Sequence, residues 1–194
     1  MSVLLQAVQV GRQFLHGETA VQALQAVDLD VHDGEFTAIM GASGSGKSTL
    51  LYVLSGLDKP TSGEVKFKDQ RIDNLGEKKI ALMRRSAFGF VFQSINLVNN
   101  LTVEENILVA GYLTKTPRKL IGERCRELLT LLEIPDLAGR LPSRMSGGQQ
   151  QRVALVRALI NQPAVLFADE PTGALNHASG QKVLDHFNQV NSQG

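Results

Sequence analysis

Apolar and polar residues alternate along the first forty positions. "SVLLQAVQV" and "ALQAVDLDVHDGEFTAIM" read as β-structure, with Asp33-Gly34 as a turn between two alternating runs. "TAIM" is short, apolar and followed at once by glycines, the pattern of a buried strand entering a loop. From Ser48 the spacing of "STLLYVLSGL" becomes helical, "DKPTSGEVKFKDQRI" reads as a turn and a short strand pair, and "ALMRRSAFGFVFQ" runs from a helix into a buried strand. Residues 102–162 are dominated by helical patterns: Thr102 and Glu105 form a capping box before "NILVAGYL", "RKLIGERCRELLTLLEI" is amphipathic, and "SGGQQQRVALVRALINQ" runs up to Pro163. "AVLFADEP" is an apolar run ending in two carboxylates. "HASGQKVLDHFNQVNSQG" predicts a helix with Val183, Leu184, Phe187 and Val190 on one face, stopping at Gly194. The order is β-rich, then helical, then β again, which predicts an α/β core with a helical insertion.

Composition narrows the function classes. The chain has 194 residues and is 43% hydrophobic, enough for a real core in one compact domain. Its net charge of +1, with aromatics at 5% and no Trp, argues against a phosphate-backbone or base-stacking surface, so no nucleic-acid partner is expected. The single Cys125 cannot form an internal disulfide, which fits a reducing compartment. "MSVLLQAVQVGRQF" lacks the layout of a signal peptide, and no run reaches the roughly 18 apolar residues needed to span a bilayer. Any membrane role is expected to pass through a partner.

Three stretches carry chemistry. "GASGSGKST" matches G-x-x-x-x-G-K-[ST] between a predicted strand and a predicted helix. Gly41, Ser43, Gly44, Ser45, Gly46 and Thr49 form a loop whose backbone N–H groups can turn onto phosphates. Lys47 reaches the β- and γ-phosphates, and Ser48 offers its hydroxyl to Mg²⁺. Asp169 and Glu170 close an apolar strand, where α/β sheets bind ligands; Asp169 is suited to hold the metal and Glu170 to orient or deprotonate the attacking water. "MSGGQQQR" opens a second helix with Ser146, Gly147 and Gly148, a start that also suits an anion, although one loop already serves one triphosphate.

These motifs, in this order, resemble the nucleotide-binding subunits of ATP-binding cassette (ABC) transporters. The resemblance covers nearly the whole chain. It implies a P-loop NTPase (RecA-like) α/β core with an antiparallel β subdomain and an inserted α-helical subdomain: one domain over 1–194, with the core at 1–93 and 163–194 and the helical signature subdomain at 94–162. It implies ATP and Mg²⁺ as ligands and ATP hydrolysis as the activity. Gln93 in "GFVFQS" matches the Gln that senses Mg²⁺ and the γ-phosphate. "MSGGQ" matches the signature through Gln149, with Met145 where Leu is usual. Phe14, ahead of the first full strand, falls where the family places an aromatic against adenine, although core packing is an equal reading. In that family two subunits pair head to tail and the signature of one covers the γ-phosphate on the other, which accounts for the second helix start. The implied partners are a second copy and an integral membrane permease, with the subunit peripheral on the cytoplasmic face. "IMGASGSGKSTLLYVLSGLDKPTSGEV" and "FADEPTGAL" look most like the branch serving lipoprotein release, macrolide export and antimicrobial-peptide export or resistance.

Two departures from the family pattern stand out. Asn176 occupies a position usually held by Asp in the loop that crosses the dimer interface, so the charge is lost there. The strand that ends in the family's switch His is not in this sequence, and His177 and His186 are read as solvated surface residues. The chain is therefore expected to be incomplete at its C-terminus, with hydrolysis slow or absent. Two rival readings remain: a nucleic-acid ATPase of the repair or translation type, and a nucleotide-binding module with impaired hydrolysis.

Overall fold

The computed structural model describes residues 2–17 and 19–192. The chain divides into two compact units, one reaching to Ala81 and taking in the residues from Asn191, the other spanning Leu82–Val190.

The first unit is built on an antiparallel sheet in the order β2-β1-β3-β4, from β1 (Val3–His16), β2 (Thr19–His32), β3 (Ser62–Phe67) and β4 (Gln70–Arg71). β1 lies inside the sheet, and its Leu5, Ala7 and Val10 are buried. The β1–β2 register shifts between Ala7 and Val10, where Gln9 and Ala26 take positive φ of 48° and 46° and the Gln9 amide donates to Asp28 Oδ1 at 2.7 Å. Such bulges raise the local twist. Beneath this bulge only glycine fits at position 63: its φ is 82°, and a Cβ there would strike the backbone of Val8 and Gln9. Helix α1 (Lys47–Leu54) buries Leu50, Val53 and Leu54 against β1 and β2.

The expected strand at "TAIM" does not form. Residues 35–42 join no ladder, with Phe36 50% and Met40 89% exposed. An apolar run becomes a strand only where neighbours offer it N–H and C=O partners, and the pairings in this unit are confined to β1–β4. α2 (Glu77–Ser86) follows, with Glu77 in its first turn and Arg84 and Arg85 in its last, complementing its dipole.

The second unit holds β5 (Phe88–Val91) and β6 (Val165–Ala168), paired in parallel from Phe88↔Val165 to Val91↔Ala168. The Phe88 and Phe90 rings contact Phe167 at 5.4 and 5.6 Å between centroids. Helices α3 (Val103–Gly111), α4 (Arg118–Leu131), α5 (Gly147–Leu159) and α6 (His177–Ser192) complete it. Ile107, Ile121, Cys125, Leu129, Leu155 and Ile160 lie in its apolar core. The predicted box at the start of α3 is present: Glu105 N–H donates to Thr102 Oγ1 and Thr102 N–H to Glu105 Oε2.

Two expectations for the helices change. α5 ends at Leu159, short of Pro163: Gln162 turns to a left-handed φ of 52°, and Asn161 Nδ2 donates to the carbonyls of Arg85 and Ala110. His186 is buried, with 6% exposure, whereas Leu184 is 38% exposed. The helical period places 183, 186 and 187 on one stripe, so His186 shares the inner face with Val183 and Phe187 despite its polar ring. His177 is exposed as expected. Gly194, the expected helix stop, lies outside the described residues.

Candidate functional site

The phosphate-loop sequence folds in the first unit as a turn running into α1. Gly44 and Gly46 adopt φ of 78° and 91°. Gly46 is the N-cap of α1, and a Cβ on it would collide with the Ala23 carbonyl of β2. A glycine cap brings no side-chain acceptor, and α1 has no side-chain cap hydrogen bond. Its opening therefore presents backbone donors and the positive end of the helix dipole. Lys47 Nζ donates back across the loop to the carbonyls of Gly41 and Ala42, at 3.0 and 2.8 Å. The ammonium thus sits within the curl of Gly41–Gly46, while Ser43, Gly44 and Ser45 are exposed and Ser48 and Thr49 follow on the first turn of α1. Backbone donors, a helix start and one ammonium make an anion cradle.

Phe14 lies within β1 rather than ahead of the first full strand, paired with Val21 of β2. The Arg12 guanidinium stands over its ring, 4.5 Å from the centroid, and pairs with Asp58 at 2.9 Å. The residue opposite Arg12 is Leu24, whose side chain also approaches Gly46, so the hairpin that carries Phe14 is the one the loop packs on.

The carboxylates and the loop glutamine belong to the second unit. The Asp169 N–H donates to the Val91 carbonyl at 2.9 Å, carrying the β5–β6 ladder one residue past the strand. Glu170 then turns out of the sheet with φ 46°. A left-handed Glu costs roughly 1–2 kcal/mol and persists only where its surroundings fix it. Here the Glu170 carbonyl accepts from Gly173 N–H at 3.0 Å, closing a tight turn. That turn brings together side chains far apart in the sequence: Gln93 Nε2 and Glu170 Oε2 each lie 3.2 Å from the point a Cβ on Gly173 would occupy. An amide donor and a carboxylate meeting at one glycine can orient a small polar molecule between them.

The second helix start is self-satisfied in part. Ser146 caps α5 by accepting from Gln149 N–H at 3.3 Å, and Gln149 Oε1 accepts from Ser146 N–H at 2.9 Å. This box leaves the N–H groups of Gly147 and Gly148 as the uncapped donors of the helix. Those glycines also allow close packing: a Cβ on Gly147 would be 3.3 Å from Leu175, and one on Gly148 3.2 Å from Ser179. Asn176, between them in sequence, caps α6 by accepting from Ser179 N–H at 2.9 Å.

The structure thus brings Gln93 to Glu170 and sets Ser146–Gly148 beside the turn after β6. Gly173, Ser179 and the capping role of Asn176 were missed in the sequence reading. Asn ahead of a helical pattern is a recognisable cap signal, whereas nothing local marks Gly173 as the meeting point of two distant side chains. No cluster of three or more His, Cys, Asp or Glu side chains suited to a metal occurs among the described residues.

Comparison with known proteins identifies the family. The profile of the family described as ABC transporter matches residues 24–173. The chain is 43% identical over 185 residues to the macrolide export ATP-binding/permease protein MacB 1/2 of Paracoccus denitrificans, covering 95% of this chain but 28% of that protein. It is 41% identical over 190 residues to the bacitracin export ATP-binding protein BceA of Halalkalibacterium halodurans, covering 98% of this chain and 75% of that one. Among solved structures, the dimeric cassette MJ0796, described as a bacterial ABC transporter cassette, superposes with a TM-score of 0.89 at 38% identity, over 98% of this chain and 84% of that one. A dimeric post-hydrolysis state of the same cassette, bound to ADP and Pi, gives a TM-score of 0.88 at 37% identity, with the same coverage. With its anion cradle, its carboxylate turn and a family match over most of its length, the chain belongs to the ABC transporter family, as an ATP-binding cassette.

Proposed function

We propose that this chain binds and hydrolyses Mg-ATP as the ATP-binding subunit of an ABC exporter. In this reading it pairs head to tail with a second copy around two nucleotides and drives a membrane permease from the cytoplasmic face. Residues 1–93 and 163–194 act as the nucleotide-binding core and 94–162 as the signature subdomain. The observation that carries the reading is the turn at Gly173, where Gln93 and the left-handed Glu170 converge. The names of the relatives support an export role for a peptide antibiotic or macrolide.

The division of labour follows from donor chemistry. Gly41, Ser43, Gly44, Ser45 and Gly46 wrap the phosphates with backbone donors, Thr49 continues the first turn, and Lys47 exchanges its two carbonyl partners for β- and γ-phosphate oxygens. Phe14 supplies an apolar face for adenine. Ser48, Asp169 and Gln93 provide a hydroxyl, a carboxylate and an amide oxygen, the hard donors Mg²⁺ takes, and a single carboxylate suits an ion that keeps its waters and phosphate ligands. When bound, Mg²⁺ neutralises charge on the transferred phosphoryl group. Glu170 accepts the proton of the attacking water, and Gln93 holds that water by a hydrogen bond. Ser146 and the Gly147 and Gly148 amides, squared up by Gln149, meet the γ-phosphate bound to the partner copy.

Light scattering on Glu170→Gln with and without Mg-ATP tests this. A shift from monomer to dimer only with nucleotide supports it. A variant that binds ATP yet stays monomeric refutes the pairing, and Lys47→Ala binding ATP as well as the parent refutes the loop assignment.

A further inference from the structure

Arg12 of β1 lies opposite Leu24 of β2, and residues paired across an antiparallel ladder put their side chains on one face. Leu24 is buried, and its Cδ2 stands 3.2 Å from the point a Cβ on Gly46 would occupy. Arg12 therefore projects from the face of the hairpin on which the phosphate loop and α1 lie. A cation on that face needs partners, and two supply them. Its Nε is 2.9 Å from Asp58 Oδ2, an ion pair without hydrogen-bond alignment. Its guanidinium carbon is 4.5 Å from the centroid of the Phe14 ring, two residues further along the strand and within the reach of a cation–π contact.

Asp58 is itself fixed in place. The end of α1 closes with Gly56 at φ 66°, and the N–H groups of Leu57 and Asp58 both donate to the Tyr52 carbonyl, at 2.9 and 3.0 Å. Lys59 N–H donates to Asp58 Oδ1 at 2.8 Å, so the two carboxylate oxygens are divided between a backbone amide and Arg12. The strand on either side of Arg12 is bonded to the same connection. Thr61 N–H donates to the Gly11 carbonyl at 2.7 Å, and Gln13 N–H donates to Thr61 Oγ1 at 3.0 Å. A Cβ on Gly11 would overlap Ser62 Oγ, so the approach is one that glycine permits.

We infer that Arg12 is a positioning residue for the nucleobase. Its guanidinium backs one face of the half-buried Phe14 ring, which leaves the other face for a purine, and Asp58 ties that guanidinium to the far end of α1. The start of the same helix is the anion cradle. α1 has eight residues and is roughly 12 Å long at about 1.5 Å per residue. The phosphates at one end and the base platform at the other are thereby set by one rigid element, and the ring is ordered before the nucleotide arrives. Ordering it in advance removes a cost that binding would otherwise carry. The inference rests on the proposed role of Phe14 against adenine.

The test measures calorimetric affinity for Mg-ATP and for Mg-tripolyphosphate, which has the phosphates without the base. Arg12→Met keeps an apolar stem and removes the charge. It is expected to weaken ATP about two- to tenfold, the factor for ordering one side chain on binding, and to leave tripolyphosphate at the parental affinity. Arg12→Lys restores the cation without the planar fork and should recover part of the loss. Asp58→Asn keeps the acceptor for Lys59 N–H, removes the charge that anchors Arg12, and should show a smaller loss confined to ATP. In a Phe14→Ala background, Arg12→Met should change ATP affinity no further. Equal weakening of ATP and tripolyphosphate in Arg12→Met means a disturbed loop and overturns the inference. So does full additivity of the two substitutions. If Phe14→Ala weakens ATP while Arg12→Met binds it like the parent, the inference fails and the role given to Phe14 stands. If Phe14→Ala binds ATP like the parent, that role fails and the inference falls with it. Should Arg12→Met not yield folded protein, Arg12→Lys and Asp58→Asn carry the same readouts.

Discussion

Replacing Gly173 by alanine separates activity from stability at the point where the proposed water-handling groups meet. An added Cβ would sit 3.2 Å from both Gln93 Nε2 and Glu170 Oε2, and 3.4 Å from the Glu170 carbonyl. Heavy atoms prefer separations of about 3.5–4.0 Å, so both side-chain ends must retreat by about 0.3–0.8 Å. They can do so cheaply, since each is the tip of a flexible side chain. The backbone at Gly173 is not in the left-handed region, and a Gly→Ala change at a compatible site gains about 0.4–1 kcal/mol through the unfolded chain. Folding stability should therefore hold or rise slightly. Catalysis should suffer, because a misplacement of about 1 Å at a reacting centre costs about a hundredfold, and about half that distance about tenfold. Steady-state hydrolysis and a thermal melt on the same preparation provide the check. Parental kcat, or a loss of kcat that tracks a fall in Tm, would refute the reasoning.

Gly111→Ala forces a methyl into Ile121, with Ile160 a further 3.3 Å contact, and should destabilise by about 1–3 kcal/mol in denaturant unfolding with little change in the slope. Asn176→Ala removes the acceptor for Ser179 N–H and should cost about 1 kcal/mol, whereas Asn176→Asp keeps the cap, adds charge at the positive helix end and should match or exceed the parent in Tm. Burial pushes the Cys125 thiol up to about 11, chiefly by desolvation, so alkylation of the native protein at pH 8 should be slow and become fast in denaturant. The sign for stability follows: the unfolded thiol ionises first, so the contribution of Cys125 is fully present below about pH 8.5 and declines as pH rises toward 11.

Export relatives and the dimeric cassettes share this chain's fold at 37–43% identity, and the departures at Asn176 and Met145 fall on positions where the structure finds compatible chemistry. Asn176 supplies a helix cap, a role Asp would serve equally, and Met145 is buried as the usual Leu would be. Neither change disturbs the local fold. What Asn176 alters is charge, on a turn whose neighbours are Gly147 and Gly148.

Much of this molecule was legible from its residues because the signals are local. Helix starts announce themselves through caps such as Thr102 with Glu105, the loop before α1 through glycines suited to left-handed turns, and the parallel pair through short apolar runs, one of them ending in Asp169 and Glu170. Period and turn chemistry act within a few residues, so one chain suffices to read them. The failures share a different cause. "TAIM" has the composition of a strand yet forms none, since a strand exists only where another segment offers its ladder. His186 reads as surface by type and is buried by its place on the stripe of α6. The meeting of Gln93 and Glu170 at Gly173, and the pairing of Arg12 with Asp58, join positions far apart in sequence. The sequence determined which groups can do chemistry and in which local conformations they sit. Tertiary structure alone decided which of them meet, because non-local contacts depend on how helices and strands pack, and no local pattern encodes the partner.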